Sequence, residues 1–250
     1  MTRLRNWFRA ASASCGYTVH RWPANRFEGM RDALALLATR GYAPRVIIDA
    51  GANVGAWSGL ARSVFPGAET HMIEPQPACR PVLERLVARA PRLAFHPVAL
   101  TEPGVARVRM IGGGDGGGGT GARIALPHES GADQIECPAA TLDSLFADWV
   151  LREDRALLKL DLEGHEAAAL RGAPRLLQVV EVVVSEVQFF PISDNGRPVF
   201  ADMVGLLRGH GFELYDFACL APRPRDLRLR MGDVIFARRD SSLLADRSWR

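Results

Sequence analysis

The 250-residue chain has few of the residues that build disulfide or metal sites. Its four cysteines lie far apart and form no C-x-x-C pair, and its six histidines show no metal-ligand spacing. We therefore expect reduced thiols, no metal centre and a cytoplasmic location. No apolar run reaches the roughly 18 residues of a membrane helix. No apolar region follows the basic segment 1–9, so a signal peptide is not expected either.

Lysine is also nearly absent: Lys159 is the only lysine among 31 basic residues. The formal net charge of +3 is small for this length. No segment is basic enough to predict a nucleic-acid partner. With 48% hydrophobic residues the chain can bury a full core, and its length fits one main domain. We expect a helical extension over residues 1–43, the main domain over 44–240 and a tail over 241–250.

The most informative segment is residues 46–55, VIIDAGANVG. An apolar run predicts a buried strand, which an acid and two glycines follow before a helical pattern over 56–65. A second strand over 69–73 stops at Glu74-Pro75. This strand–glycine turn–helix–strand–acid order is typical of an adenosine-binding unit, because glycines allow close backbone approach and the second acid can accept both ribose hydroxyls.

Two phosphate-binding motifs are missing from this unit. A dinucleotide site needs G-x-G-x-x-G, but the spacing here is G-x-x-x-G with Asn53 between the glycines. A P-loop needs a lysine after its glycines, and none follows. The pattern suits a ligand without phosphates, such as S-adenosylmethionine (SAM). A tight turn in some other α/β protein is the alternative.

Helical and strand patterns alternate along the rest of the chain. Helices are expected over 27–41, 79–90, from Thr141 onward, from Glu163 to Gln178, and over 200–210, and strands over 94–100, 105–110, 156–162, 179–184, 212–217 and 233–237. Because the last two strands have no helix between them, we predict a mostly parallel sheet with one antiparallel strand. The glycine-rich segment 112–121 is interpreted as a mobile loop, either a lid or a plain insertion.

Acidic residues cluster at the ends of the predicted strands. Asp49, Glu74, Asp161 and Glu186 each end one, and Lys159, Asp161 and Glu163 share a face by alternation. Functional sites in such sheets lie at the carboxyl ends of the strands. A purely structural ion-pair cluster around Lys159 is the alternative. His165 follows as a general base or as a surface or capping residue.

An arginine-rich segment, PRPRDLRLR over 222–230, lies between the last two predicted strands. Arginine forks suit phosphate and carboxylate groups, so this segment is a candidate for binding an anionic part of a substrate. The alternative is a solvated hairpin, because arginine is the usual cation of this chain.

Several motifs in register resemble the FkbM family of methyltransferases. They are VIIDAGANVG (46–55), MIEP (72–75), TLD (141–143), LKLDLEGHE (158–166), LRGA (170–173), Glu186, GFEL (211–214) and DVIF (233–236). The resemblance covers about residues 44–239. It implies a class I methyltransferase fold, an α/β Rossmann-like three-layer sandwich whose mostly parallel seven-stranded sheet has an antiparallel last strand.

The resemblance also implies SAM as cofactor and a hydroxylated small-molecule acceptor, a sugar or glycan unit or a natural product, including anionic conjugates. By position, the residues implied for SAM are Asp49, Gly51, Ala52, Asn53, Gly55, Glu74, Pro75, Val98, Ala99 and Asp161. Glu163, His165 and Glu186 are candidates for the base, and Asp161 for orientation. The alternatives are an RNA or protein N-methyltransferase, although no N/D-P-P-Y/F motif follows the predicted strand over 156–162, and a non-catalytic SAM-binding module.

Overall fold

In a computed structural model of the chain, the described residues are 14–15, 26–112, 121–125, 129, 134–191, 197–246 and 248. Seven strands form the main sheet: β1 (Val46–Ala50), β2 (Glu69–Ile73), β3 (Leu93–His96), β8 (Leu157–Leu160), β9 (Val182–Gln188), β10 (Phe212–Pro222) and β11 (Leu229–Arg238). Their order across the sheet is β10-β11-β9-β8-β1-β2-β3. Strand β11 runs in the opposite direction to the other six strands. The predicted fold class is confirmed.

Helices cover both faces of this sheet. They are α1 (Arg26–Thr39), α2 (Ala56–Val64), α3 (Arg80–Arg89), α4 (Leu142–Phe146), α5 (Glu166–Arg171) and α6 (Phe200–Gly209). One face packs against α1 and α2 through residues such as Leu34 and Leu60, and the other against α4, α5 and α6 through residues such as Phe146 and Leu207. Both sets are buried, so the fold has three layers.

A second, four-stranded sheet lies after β3 in the chain. It contains β4 (Ala99–Leu100), β5 (Arg107–Ile111), β6 (Arg123–Ile124) and β7 (Ile135–Ala140). The single strand predicted over 94–100 is wrong, because Pro97 divides it into β3 and β4, which belong to different sheets. The predicted strand over 105–110 corresponds to β5. Residues 113–120 of the glycine-rich segment lie outside the described residues.

Two other boundaries differ from prediction. The helix expected to reach Gln178 stops at Arg171, where Gly172 and Pro174 interrupt it, and a short 3-10 turn covers Leu176–Gln178. Strand β9 starts later than expected and continues to Gln188, since β11 pairs with it along that length. Glu186 therefore lies inside a strand and does not end one. Among the described residues, no helix is long and apolar enough to cross a membrane.

Candidate active site

The glycine turn after β1 packs closely against the ends of β2 and β8. The backbone N–H groups of Gly51 and Ala52 both donate to the Ile73 carbonyl oxygen at 3.0 Å. Gly51 has φ +80°, and a Cβ there would lie 1.9 Å from the Asp161 carbonyl oxygen. No side chain fits, so the turn leaves bare backbone at the carboxyl edge of the sheet.

Glu74, just after β2, is held by the same turn. Its Oε2 accepts from the Asn53 backbone N–H at 2.8 Å, and its Oε1 accepts from the Gln76 N–H at 3.0 Å. The residue is only 4% exposed. Burial raises the pKa of this carboxyl, and the two backbone bonds oppose that rise. A carboxylate oxygen can accept more than one hydrogen bond, so Glu74 can still receive a hydroxyl donor.

Asp49 and Lys159 form a buried ion pair beneath the turn. Lys159 Nζ lies 3.0 Å from Asp49 Oδ1 and donates to the Gly51 carbonyl oxygen at 2.9 Å. Ser58 of α2 donates to the other Asp49 oxygen at 2.6 Å. Burial lowers the pKa of Lys159, but Asp49 and Asp161 outweigh it and the pKa is raised. Lys159 is therefore a fixed cation that supports the turn.

Arg26, the first residue of α1, joins acids from three strands. Its guanidinium contacts Asp233 through both Nε and Nη2 at 2.6 and 2.5 Å. The same Nη2 lies 2.7 Å from Glu186 Oε2 and 3.1 Å from Asp161 Oδ2. Burial, with Asp161, Glu163 and Asp233 nearby, raises the pKa of Glu186 to about 9 despite the opposing charge of Arg26.

Glu163 lies two residues beyond Asp161 in a strained backbone conformation. Its φ is +53°, in the left-handed region that residues other than glycine seldom adopt. The Arg197 guanidinium donates to its backbone carbonyl oxygen. Burial raises the pKa of the Glu163 carboxyl to about 7, and Asp161 and Glu166 add to this. Strain held in place by neighbouring groups is common at functional sites.

These elements surround a cavity of about 350 Å³. Of the predicted residues, the ones lining it are Gly51, Ala52, Asn53, Glu74, Pro75, Val98, Ala99, Asp161 and Glu163. The structure thus brings together the glycine turn, the acid after β2, the end of β8 and the segment between β3 and β4. The size suits a small-molecule ligand.

Four predicted residues do not line the cavity. Asp49 is fully buried beneath it, and Glu186 is buried against Arg26. Gly55 packs against α3, where a Cβ would lie 2.7 Å from Leu86 Cδ1. His165 lies with its Nε2 3.3 Å from the Thr101 hydroxyl, and burial lowers its pKa.

Several other residues that line the cavity were not indicated by the sequence patterns. Those from α1, α2, β5 and β6 are Arg26, Phe27, Ala56, Trp57, Met110, Arg123 and Ile124. The alternation of β5 places Met110 on a buried side and was a usable signal. Nothing local distinguishes Arg26 from the many other arginines, because its acidic partners lie more than 130 residues away in sequence. Within the described ranges, no group of three or more His, Cys, Asp or Glu side chains is arranged to hold a metal.

Comparison with known proteins gives consistent matches. A family model described as "Methyltransferase FkbM domain" matches residues 49–214. The curated protein "31-O-demethyl-FK506 methyltransferase FkbM" from Streptomyces tacrolimicus is 27% identical over 199 residues, which cover 67% of this chain and 72% of that protein.

Solved structures with a similar arrangement include two methyltransferases. Methyltransferase FkbM from Methylobacillus flagellatus KT has 16% identity and a TM-score of 0.49, over 77% of this chain and 43% of that one. The chain thus spans less than half of that protein. The 1,6-didemethyltoxoflavin-N1-methyltransferase from Burkholderia thailandensis, solved with 1,6-didemethyltoxoflavin and S-adenosylhomocysteine, has 16% identity and a TM-score of 0.46, over 85% and 79% of the two chains.

Proposed function

This chain belongs to the FkbM family of SAM-dependent methyltransferases, and we propose that it methylates a hydroxyl oxygen of a small acceptor, a sugar or glycan unit or a natural product. The family match covers both the glycine turn and the segment 158–166 that carries the cavity acids. The relative from Streptomyces is named as a 31-O-demethyl-FK506 methyltransferase, which supports oxygen as the acceptor atom. The free cysteines among the described residues favour a reducing compartment such as the cytoplasm.

The residues that line the cavity are chemically suited to bind SAM. Gly51, Ala52 and Asn53 of the turn line the cavity, and Glu74 offers acceptor sites to ribose hydroxyls. Val98 and Ala99 are proposed to flank the adenine, and Asp161 to face the methionine end. When bound, SAM supplies a methyl group activated on a sulfonium.

Glu163 is proposed as the general base. A sugar hydroxyl is a weak nucleophile, so its proton must pass to a nearby group as the methyl is transferred. The observation that carries the proposal is that Glu163 lines the cavity next to Asp161 with its pKa raised to about 7. A base with that pKa is both partly ionised at neutral pH and able to accept a proton. Asp161 is proposed to orient the acceptor.

The test is Glu163→Gln, assayed by conversion of labelled SAM with a panel of monosaccharides, sugar nucleotides and hydroxylated natural products. We expect kcat to fall by roughly 10²–10⁴-fold while SAM affinity changes little. Wild-type kcat should rise with pH and level off above about 7, since Glu163 must be ionised. The groups facing it are Asp161, Glu166, Arg26 and Arg197.

The matched control is Glu102→Gln, which removes an exposed carboxylate paired with Arg171 outside the cavity. It should leave kcat unchanged. A Glu163→Gln enzyme with wild-type kcat and pH profile would reject the base assignment. An N-methylated product, identified by NMR, would reject O-methylation, and SAM binding without turnover across the panel would favour the non-catalytic module.

A further inference from the structure

Two arginines converge on one aromatic ring at the carboxyl edge of the sheet. The guanidinium carbon of Arg228 lies 4.1 Å from the centroid of the Phe190 ring, and that of Arg223 lies 5.1 Å from it. Both distances are within the range of cation–π contacts. Phe190 comes just after β9, and the arginines belong to the turn between β10 and β11.

The charges of this turn are only partly neutralised. Arg223 forms a double hydrogen bond with Asp226, at 2.6 and 2.5 Å. Asp226 is the only acid in segment 222–230, which holds four arginines. Within the described part of the chain, no carboxylate lies within ion-pair distance of Arg228. A guanidinium stacked on a ring keeps its N–H edge available, and that edge suits a phosphate oxygen pair.

The stacked pair lies on the same face of the sheet as the acids of the cavity. Val184 of β9 packs in the core beneath α1, so alternation places Glu186, Gln188 and Phe190 on that face. Pairing continues this far, since the Phe189 N–H donates to the Arg230 carbonyl oxygen at 2.9 Å. Phe189 itself packs against Phe200 of α6 on the opposite face.

The distance between the two sites follows from strand geometry. Phe190 is four positions beyond Glu186, which corresponds to about 13 Å at the usual rise of a strand. Gln188 and Met231, which pair with each other between the two sites, are both half-buried. An acceptor lying across them would place one end near Arg26, which contacts Glu186 and lines the cavity, and the other at Arg228.

We propose that Arg228, stacked on Phe190, binds a phosphate group of the acceptor, so that the substrate is a hydroxylated unit joined to phosphate. This deepens the proposed function and rests on it. A sugar joined to a diphosphate is such a molecule. The phosphate belongs either to a soluble nucleotide sugar or to a lipid-linked sugar, and the experiment separates the two.

The first measurement is calorimetric titration of the full-length protein with inorganic pyrophosphate at low salt. Arg228→Gln should weaken binding by about tenfold or more, because a charge-assisted pair is lost. Phe190→Leu should weaken it several-fold, because the guanidinium loses its platform. The matched control is Arg225→Gln in the same turn, which removes the same charge and should change affinity less than threefold.

The second measurement compares UDP-glucose with vesicles of phosphatidylglycerol and phosphatidylcholine. Binding of UDP-glucose that Arg228→Gln abolishes supports a soluble acceptor, and vesicle binding with the same dependence supports a lipid-linked one. Binding of neither, or equal effects of Arg225→Gln and Arg228→Gln, overturns the proposal. SAM titration of the same samples separates the outcomes, since failure to bind SAM refutes the proposed function without affecting the pyrophosphate result.

Discussion

At the residue scale, acids that look alike in sequence have different surroundings. Asp49 is paired with Lys159 and Ser58, and Glu74 with two backbone N–H groups. Glu163 lies at the cavity with a strained backbone and a pKa raised to about 7. Asp49 therefore has a structural role, Glu74 is suited to bind hydroxyl groups, and Glu163 is suited to transfer a proton.

Glu74→Ala should weaken SAM binding by about 1–3 kcal/mol, since the ribose hydroxyls would lose a charged acceptor. It should also lower Tm, because the Asn53 and Gln76 N–H groups lose their partner. Glu74→Gln keeps one acceptor oxygen and should have a smaller effect. Calorimetry and thermal melts measure both, with exposed Glu84→Ala of α3 as the control. Unchanged SAM affinity in folded Glu74→Ala would refute the ribose role.

At the element scale, α1 is part of the candidate site as well as of the core. Its buried side chains, including Met30 and Leu34, pack against the sheet, and its first residue holds acids of β9 and β11 and the end of β8. The boundary at residue 43 stays a prediction, but an element from outside the family match contributes Arg26 and Phe27 to the cavity.

Arg26→Gln should lower stability by about 1–3 kcal/mol, because buried Asp233 would lose its counter-charge while the partial exposure of Arg26 lets water screen part of the loss. Arg26→Lys should recover only part of this, since an ammonium cannot span both Asp233 oxygens as the guanidinium does. Denaturant unfolding measures the differences. Arg31→Gln, exposed on the same helix, is the control. If Arg26→Gln and Arg31→Gln unfold alike, Arg26 has no such role.

Local sequence patterns predict the boundaries of some strands and not of others. The sequence predicts β1 and β2 almost to the residue, because apolar and β-branched residues between glycine and proline signals are typical of strands. The sequence does not predict the extent of β9 and β11, because pairing between distant segments determines where these strands end. Strands β6 and β7 were missed, since β6 has two residues and β7 is largely exposed.

At the scale of the whole molecule, buried charge couples stability to pH. Glu186 is 8% exposed, and its pKa is raised to about 9, well above its ordinary value of 4.5. The folded state therefore holds a proton that the unfolded state releases. The stabilising contribution is full below about pH 4.5 and is lost as pH rises through about 9. The charged groups facing Glu186 are Asp161, Arg26, Glu163 and Asp233.

The wild-type protein should lose about 2 kcal/mol of stability between pH 7 and 9 from this group, which corresponds to roughly 4–8 °C in Tm. Glu186→Gln resembles the protonated form and should flatten this alkaline decline. Melting curves at several pH values compare the two proteins, with Glu102→Gln as the surface control. A decline of equal size in Glu186→Gln would show that other groups cause it.

The sequence by itself determined the fold class and most of the candidate cofactor residues. Strand–turn–helix order is a local property, and parallel strands bring their carboxyl ends to one edge, so the glycine turn, Glu74 and Asp161 had to meet. Tertiary structure alone decided which acids face the cavity. Asp161 and Glu163 line it, whereas Glu186 is covered by Arg26 and His165 points to Thr101. The sequence also could not predict that Arg228 stacks on Phe190. Such contacts join residues far apart in the chain, and packing fixes their geometry.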